Sequence, residues 1–335
     1  MRTSDLDYEL PDSAIAQVPV EPRDAARLLV AVADGDPLDA TVADLGRFLR
    51  PGDVMVVNRT RVRRARLVLQ RASGARVEVL LLDAVGDGEY EALLGNSRRV
   101  ADGEVLVVAD GEPVVEVLGR GDRTARVRLV GGDEVLERHG EVPLPPYITE
   151  RAVDPERYQT VYARDARSAA APTAGLHLTD RLLASLRESG VAIHEVELVV
   201  GLDTFRPIVG DDPLHYEIHR EWYSVPASTL EACGAARAAG GRVLAVGTTS
   251  VRALESAAAS GRLQDRTSLY IVPGHEWRTV DLMMTNFHMP RTTLLAMVQA
   301  FVGPSWRDLY ATALVRGYRF LSFGDAMLLS RAPVR

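Results

Sequence analysis

Three segments place side chains able to move protons or hold an anion where an expected core element gives way to a helical pattern. In TNFHMP (285–290), Asn286 and His288 follow the apolar run VDLMM and precede a helix that starts near Thr292 or Thr293. In APTAGLH (171–177), small residues would let a ligand approach the backbone at Gly175, with Thr173 and His177 beside it and a helix capped by Thr179 next. In RVLAVGTTSVRALESAAASG (242–261), a strand and a small-residue turn lead into a helix beginning near Ser250, whose first amides point beyond the strand end. Thr248, Thr249 and Ser250 add hydroxyls there, and Arg252 one turn in can hold a carboxylate or phosphate. Each segment alone has a plain structural alternative: a histidine in a buried network, a turn, an N-cap. Three such loops together point to one site.

Two further segments carry charge. NRTRVRRARL (58–67) follows the apolar strand VMVVN and sets Arg59, Arg61 and Arg63 on one face if extended, with Arg64 and Arg66 on the other. Such a face could track phosphates or simply be a solvated strand. Asparagine occurs only at Asn58, Asn96 and Asn286, and two of these end apolar strands. HYEIHREWY (215–223) offers His215, Glu217, His219 and Glu221 without the HExxH order of zinc peptidases, so a base or a substrate contact fits better than a metal.

The elements that must position these residues follow from the texture of the chain. Residues 66–142 alternate in short runs such as RVEVLLL, EYEALL and TARVRLV, with turn signals roughly every 8–12 residues, which predicts a small all-β barrel or sandwich. PLPPYI (143–148) is a rigid boundary. Beyond it helical patterns alternate with apolar strands, so the predicted fold class is α/β. A large discontinuous domain (1–65 and 150–335) carries an inserted small all-β domain (66–149).

Composition excludes several chemistries. All 39 basic residues are Arg, so neither a Walker loop nor a lysine Schiff base is available. Cys233 is the only cysteine, which removes intrachain disulfides and cysteine-rich metal sites. The net charge of -7 makes any nucleic-acid site a local patch. No signal core or 18-residue apolar span is present, and a cytoplasmic protein away from membranes is expected.

Taken in order, LPDSAIAQVPVEPRDAARLLV (10–30), PGDVMVVNRTRV (51–62), PLPPYI, RYQTVYA (157–163), AAPTAGLH (170–177), VGTTSVRALES (246–256), TNFHMPRTTLL (285–295) and YRFLSFGDAM (318–327) resemble the S-adenosylmethionine:tRNA ribosyltransferase-isomerase family of queuosine biosynthesis. The resemblance implies an α/β part with an inserted barrel. It also implies transfer and isomerisation of the ribosyl portion of S-adenosylmethionine onto 7-aminomethyl-7-deazaguanine at the tRNA wobble position. Adenine and methionine leave, and the product is epoxyqueuosine. S-adenosylmethionine and that tRNA are the implied partners, with no metal or redox cofactor. The oligomeric state is left open, a monomer being the default.

Such a reaction needs a base beside the sulfonium, an acid for the purine and a held methionyl tail. His177 and His288 are the candidates for proton handling, and Asn58 and Asn286 for positioning. Thr173, Gly175, Thr248, Thr249, Ser250, Arg252, His219 and Glu221 are candidate substrate contacts, as is Asp325 unless it only forms a turn. Arg59, Arg61, Arg63 and Arg66 are the candidate RNA contacts, with Tyr318 or Phe320 as stacking partners if exposed. The chain departs from the family pattern at Val199 and Asp203, where His and Gly are usual, and at Ser168 in place of Gly. It departs again in VRRAR (62–66), which lacks a proline, and in the stretched HYEIH. These departures motivate two rivals, a paralogue with another acceptor or donor and a non-catalytic tRNA-binding protein. Adenine release from S-adenosylmethionine separates both from the enzyme.

Overall fold

In the computed structural model the chain separates into two compact units, one of residues 1–61, 145–165 and 171–335 and the other of 62–144 and 166–170. The structure describes residues 1–32, 35–86, 88–95, 100–121, 124–150, 154–201, 207–216, 218 and 220–332.

The first unit is built on a nine-stranded sheet. Four parallel strands form its middle: Ala192–Leu198, Val54–Asn58, Val243–Val246 and Leu282–Asn286. Ala326–Ser330 pairs antiparallel with Leu282–Asn286 and parallel with Arg27–Ala31, and Leu38–Thr41 forms that edge. Glu221–Ser224 and Gln264–Thr267 extend the opposite edge in antiparallel register. VMVVN and VLAV are buried at every position, which is why they read as unbroken apolar runs rather than alternating ones. Met55, Val57, Leu244, Val246 and Met284 meet Leu182, Leu183 and Leu186 of helix Asp180–Glu188 in one core. Thr179 starts that helix as expected, its hydroxyl accepting from Leu182 N while donating to Asp24. Helix Thr248–Ser260 packs over Ala192–Leu198 and Val243–Val246, and helix Thr293–Val302 follows Leu282–Asn286.

The second unit is a closed barrel of six antiparallel strands: Ala125–Leu129, Glu89–Gly95, Arg76–Gly86, Arg66–Gln70, Val105–Val107 and Pro113–Arg120. Alternation sends Leu67, Leu69, Val77, Val79, Val117 and Val127 inward. Closure leaves no free strand edge, and it selects the barrel over the sandwich. The α/β class with an all-β barrel agrees with the sequence texture.

Candidate active site

The four central parallel strands of the first unit all end on the same side, where α/β sheets bind ligands. Two lobes of a cleft lie there. The first, of about 610 Å³, is walled by Thr173 and Ala174, by Gly247–Thr249, by Thr285–Met289, and by Leu321 and Ser322, with Tyr147 and Val200 completing it. The second, of about 520 Å³, shares Thr248, Thr249 and Leu294 with the first and adds Tyr216, Glu221, Arg252, Tyr270 and Met297.

Local backbone explains why these residues converge. Gly247 sits between strand and helix at φ 85°, a conformation that costs glycine little and a β-branched residue much. The helical ladder then starts with Val251 N donating to Gly247 O, leaving the preceding amides aimed along the helix axis toward the cleft. Thr292 caps the neighbouring helix by accepting from Leu295 N. Leu321 is held at φ 69° by two bonds, its amide donating to Phe287 O at 3.1 Å and its carbonyl accepting from Asn286 Nδ2 at 3.1 Å. Left-handed backbone at a branched, buried side chain is strained.

The polar lining is ordered by short bonds. Thr173 Oγ1 donates to Asn286 Oδ1 at 3.0 Å, tying the 171–177 loop to the end of Leu282–Asn286. His288 Nε2 lies 2.9 Å from Thr285 Oγ1, its backbone N–H donates to the Tyr310 hydroxyl, and its carbonyl accepts from Tyr8. Burial pushes the pKa of His288 down to about 3, so the ring is a neutral imidazole near pH 7. Tyr147 OH lies 2.7 Å from Ser322 Oγ. In the second lobe Arg252 and Glu221 form a buried ion pair, and the guanidinium also donates to the carbonyls of Leu269 and Thr267. Glu221 accepts from Gly201 N as well. Among the described residues no group of three or more His, Cys, Asp or Glu side chains is placed to hold a metal ion. No helix there is long and apolar enough to cross a membrane.

Residues 3–329 match the family described as Queuosine biosynthesis protein. The chain belongs to the queuosine biosynthesis protein family. It is 48% identical to the S-adenosylmethionine:tRNA ribosyltransferase-isomerase of Moorella thermoacetica over 341 residues, covering 98% of this chain and 100% of that protein. It is 50% identical to the protein of that name from Rubrobacter xylanophilus, covering 98% of each. A crystal structure of S-adenosylmethionine tRNA ribosyltransferase from Thermotoga maritima aligns with a TM-score of 0.56 at 34% identity, covering 97% of this chain and 100% of that one.

In this queuosine biosynthesis family member, the cleft brings together Thr173, Thr248, Thr249, Asn286 and His288 in the first lobe, and Arg252 and Glu221 in the second. The other sequence candidates lie elsewhere. Asn58 is fully buried, with Nδ2 donating to Leu198 O and Oδ1 accepting from Leu198 N and Thr60 N, so it clamps adjacent strand ends. His177 sets its ring nitrogens 3.1 Å from Ala174 O and 2.8 Å from Gly324 O and lines a separate depression with Arg23 and Arg157. Burial lowers its pKa. Gly175 does face a close neighbour, but that neighbour is Tyr162, whose hydroxyl would lie 2.0 Å from an added Cβ. Ser250 Oγ donates back to Val246 O, at the end of the strand that precedes its helix. Asp325 accepts from the amides of Arg27 and Arg319, the turn-forming alternative, although the Arg319 guanidinium also lies 3.9 Å away. His219 and Asp203 lie outside the described residues.

The candidate RNA arginines all have internal partners. Arg59 lies 3.6 Å from both Asp165 and Glu197, and Arg61 pairs with Glu156 at 2.5 Å. In the other unit Arg66 is bonded to Glu78 and Glu141, and Arg63 donates to Leu82 O and lies over the Tyr90 ring. Tyr318 and Phe320 are buried, so neither is available to stack on a base. Residues that motif reading passed over include Tyr147, within PLPPYI, and Thr285, beside Asn286, both in segments already singled out. Tyr270, in SLYIV, carried no signal of its own.

Proposed function

We propose that this protein transfers and isomerises the ribosyl moiety of S-adenosylmethionine onto 7-aminomethyl-7-deazaguanine at the wobble position of tRNA, releasing adenine and methionine. The observation that carries the reading is identity near half along the whole chain to relatives bearing that name, joined to a cleft that includes segments of the same motifs. His288 is the proton-handling group. Burial keeps it neutral at rest, the form a base needs. The proton it takes from the carbon beside the sulfonium leaves with the departing adenine. Thr285 orients the ring, while Asn286 and Thr173 position the ribosyl portion. The amides that open helix Thr248–Ser260 suit the methionyl carboxylate better than Arg252, whose guanidinium is already engaged by Glu221 and two carbonyls. The reading needs no metal or redox cofactor.

The test incubates the protein with S-adenosylmethionine and tRNA carrying the aminomethyl base. Adenine release and a nucleoside of the mass of epoxyqueuosine are expected, and both fall about 10²- to 10⁴-fold in His288→Ala. No adenine release from the parent protein would overturn the activity. Release that persists undiminished in the variant would overturn the role of His288.

A further inference from the structure

The second lobe differs in chemistry from the first. Its walls are aromatic and aliphatic: Tyr216 and Tyr270, with ring centroids 6.4 Å apart, together with Ile218, Leu269, Ile271 and Met297. Among the described residues its lining charges are Arg252 and Glu221, which pair with each other, so these present no uncompensated charge to a carboxylate, a sulfonium or a phosphate. It also contains an anomaly. Thr249 Oγ1 and the Tyr270 hydroxyl are both shielded from solvent and have no hydrogen-bond partner among the described residues. Buried hydroxyls are nearly always bonded, so an orphaned pair lining one cavity marks groups awaiting a ligand. Burial and the neighbouring Tyr216 push the Tyr270 phenol up to about 12, which keeps it an O–H donor at neutral pH.

We infer that this lobe is a purine subsite, in which the adenine of the sulfonium donor lies against Tyr216 and Tyr270 and its ring nitrogens accept from Thr249 Oγ1 and Tyr270 OH. A neutral heterocycle with several in-plane acceptors and an apolar face satisfies every feature of the lobe at once. The methionyl tail would instead bring an ammonium and a carboxylate to described lining charges that are already paired. Because Thr248, Thr249 and Leu294 wall both lobes, adenine in the second leaves the ribosyl carbons in the first, beside Asn286 and His288. This assignment rests on the activity proposed above and specifies which end of the donor each lobe takes. The acceptor is also purine-like, so the same chemistry has a second possible source, which the test separates.

Calorimetry with the full-length protein measures binding of 5′-methylthioadenosine, methionine and 7-aminomethyl-7-deazaguanine to the parent, Tyr270→Phe and Thr249→Val. Thermal unfolding checks that each variant folds, and a variant that does not is replaced by Thr249→Ala or Tyr270→Leu. Each substitution is expected to weaken 5′-methylthioadenosine about 3- to 10-fold, the worth of one hydrogen bond, and to raise KM for S-adenosylmethionine by a similar factor. Methionine and deazaguanine affinities stay unchanged. Unaltered 5′-methylthioadenosine affinity in both folded variants would overturn the subsite, as would a loss confined to the deazaguanine, which would place the acceptor base here instead. A parent that binds 5′-methylthioadenosine in this manner but releases no adenine from S-adenosylmethionine would count against the activity and leave the subsite standing.

Discussion

Replacing Asn58 with alanine tests whether a polar residue at the end of a central strand serves the substrate or the sheet. The side chain is fully buried and makes three hydrogen bonds, two of them to the N–H and C=O of Leu198 on the neighbouring parallel strand. Alanine strands backbone groups where water has no access, at about 1–3 kcal/mol for each one left unpaired. The expected loss is therefore at least about 3 kcal/mol, a large share of the roughly 5–15 kcal/mol that holds a domain together. Urea denaturation should show a lower midpoint with an unchanged slope, and Asn58→Asp should not restore it, because a carboxylate cannot donate to Leu198 O. Under conditions where the variant is still folded, kcat for adenine release should stay within about tenfold of the parent, well short of the 10²- to 10⁴-fold loss that follows removal of an acid or base. A variant with parental stability and kcat reduced a hundredfold or more would refute the reasoning and return Asn58 to the catalytic centre.

Four other outcomes follow from the geometry. The pKa of His288 lies near 3 when folded against 6.5 for an ordinary histidine, so between those values the unfolded chain binds the extra proton and stability falls as pH drops. The contribution approaches about 1.4 kcal/mol per pH unit below pH 6, and stability curves of His288→Gln between pH 6 and 4 should be flatter than the parent's by nearly that slope. Parallel curves would refute it. Gly175→Ala should cost about 1–3 kcal/mol by driving a methyl into the Tyr162 hydroxyl, and adding Tyr162→Phe should recover part of it in thermal unfolding. Arg252→Met strands the Glu221 carboxylate and should cost about 3–5 kcal/mol, whereas the double variant with Glu221→Gln should cost less. Arg61 pairs with one exposed carboxylate and can exchange it for a phosphate at little cost, whereas Arg66 is tied to two. Arg61→Ala should therefore lower the salt dependence of tRNA affinity by about 0.7 in log–log slope, and Arg66→Ala should leave it unchanged.

The elements were more legible in the sequence than the division of labour among polar residues. Thr292 and Thr179 announce their helices because a hydroxyl just before an apolar period has one favoured use. TNFHMP could be placed at the mouth of a cleft because a strand and a capped helix bracket it so tightly. Asn58, Ser250 and Asp325 occupy equally suggestive positions, yet each spends its side chain on the backbone, and that choice depends on which segment packs alongside. His177 is the sharpest case, since the carbonyl of Gly324 that engages its ring lies 147 residues away. The arginine-rich stretch misleads for a related reason: its counter-charges Glu141, Glu156 and Asp165 come from distant parts of the sequence. Texture left barrel and sandwich open and the family resemblance carried the barrel, because alternation reports which side chains face inward and says nothing of whether the first and last strands meet.

Leu321 has a bearing on any effort to redesign the donor specificity of this protein. Its left-handed backbone is restrained by the Asn286 amide and the Phe287 carbonyl, both of which belong to the same loop as His288. Trimming Asn286 to enlarge the binding volume would thus unlatch a peptide on the opposite bank and move Ser322 with it. Substitutions at 286 and 321 have to be chosen as a pair, and glycine at 321 is the natural companion to any shortening at 286.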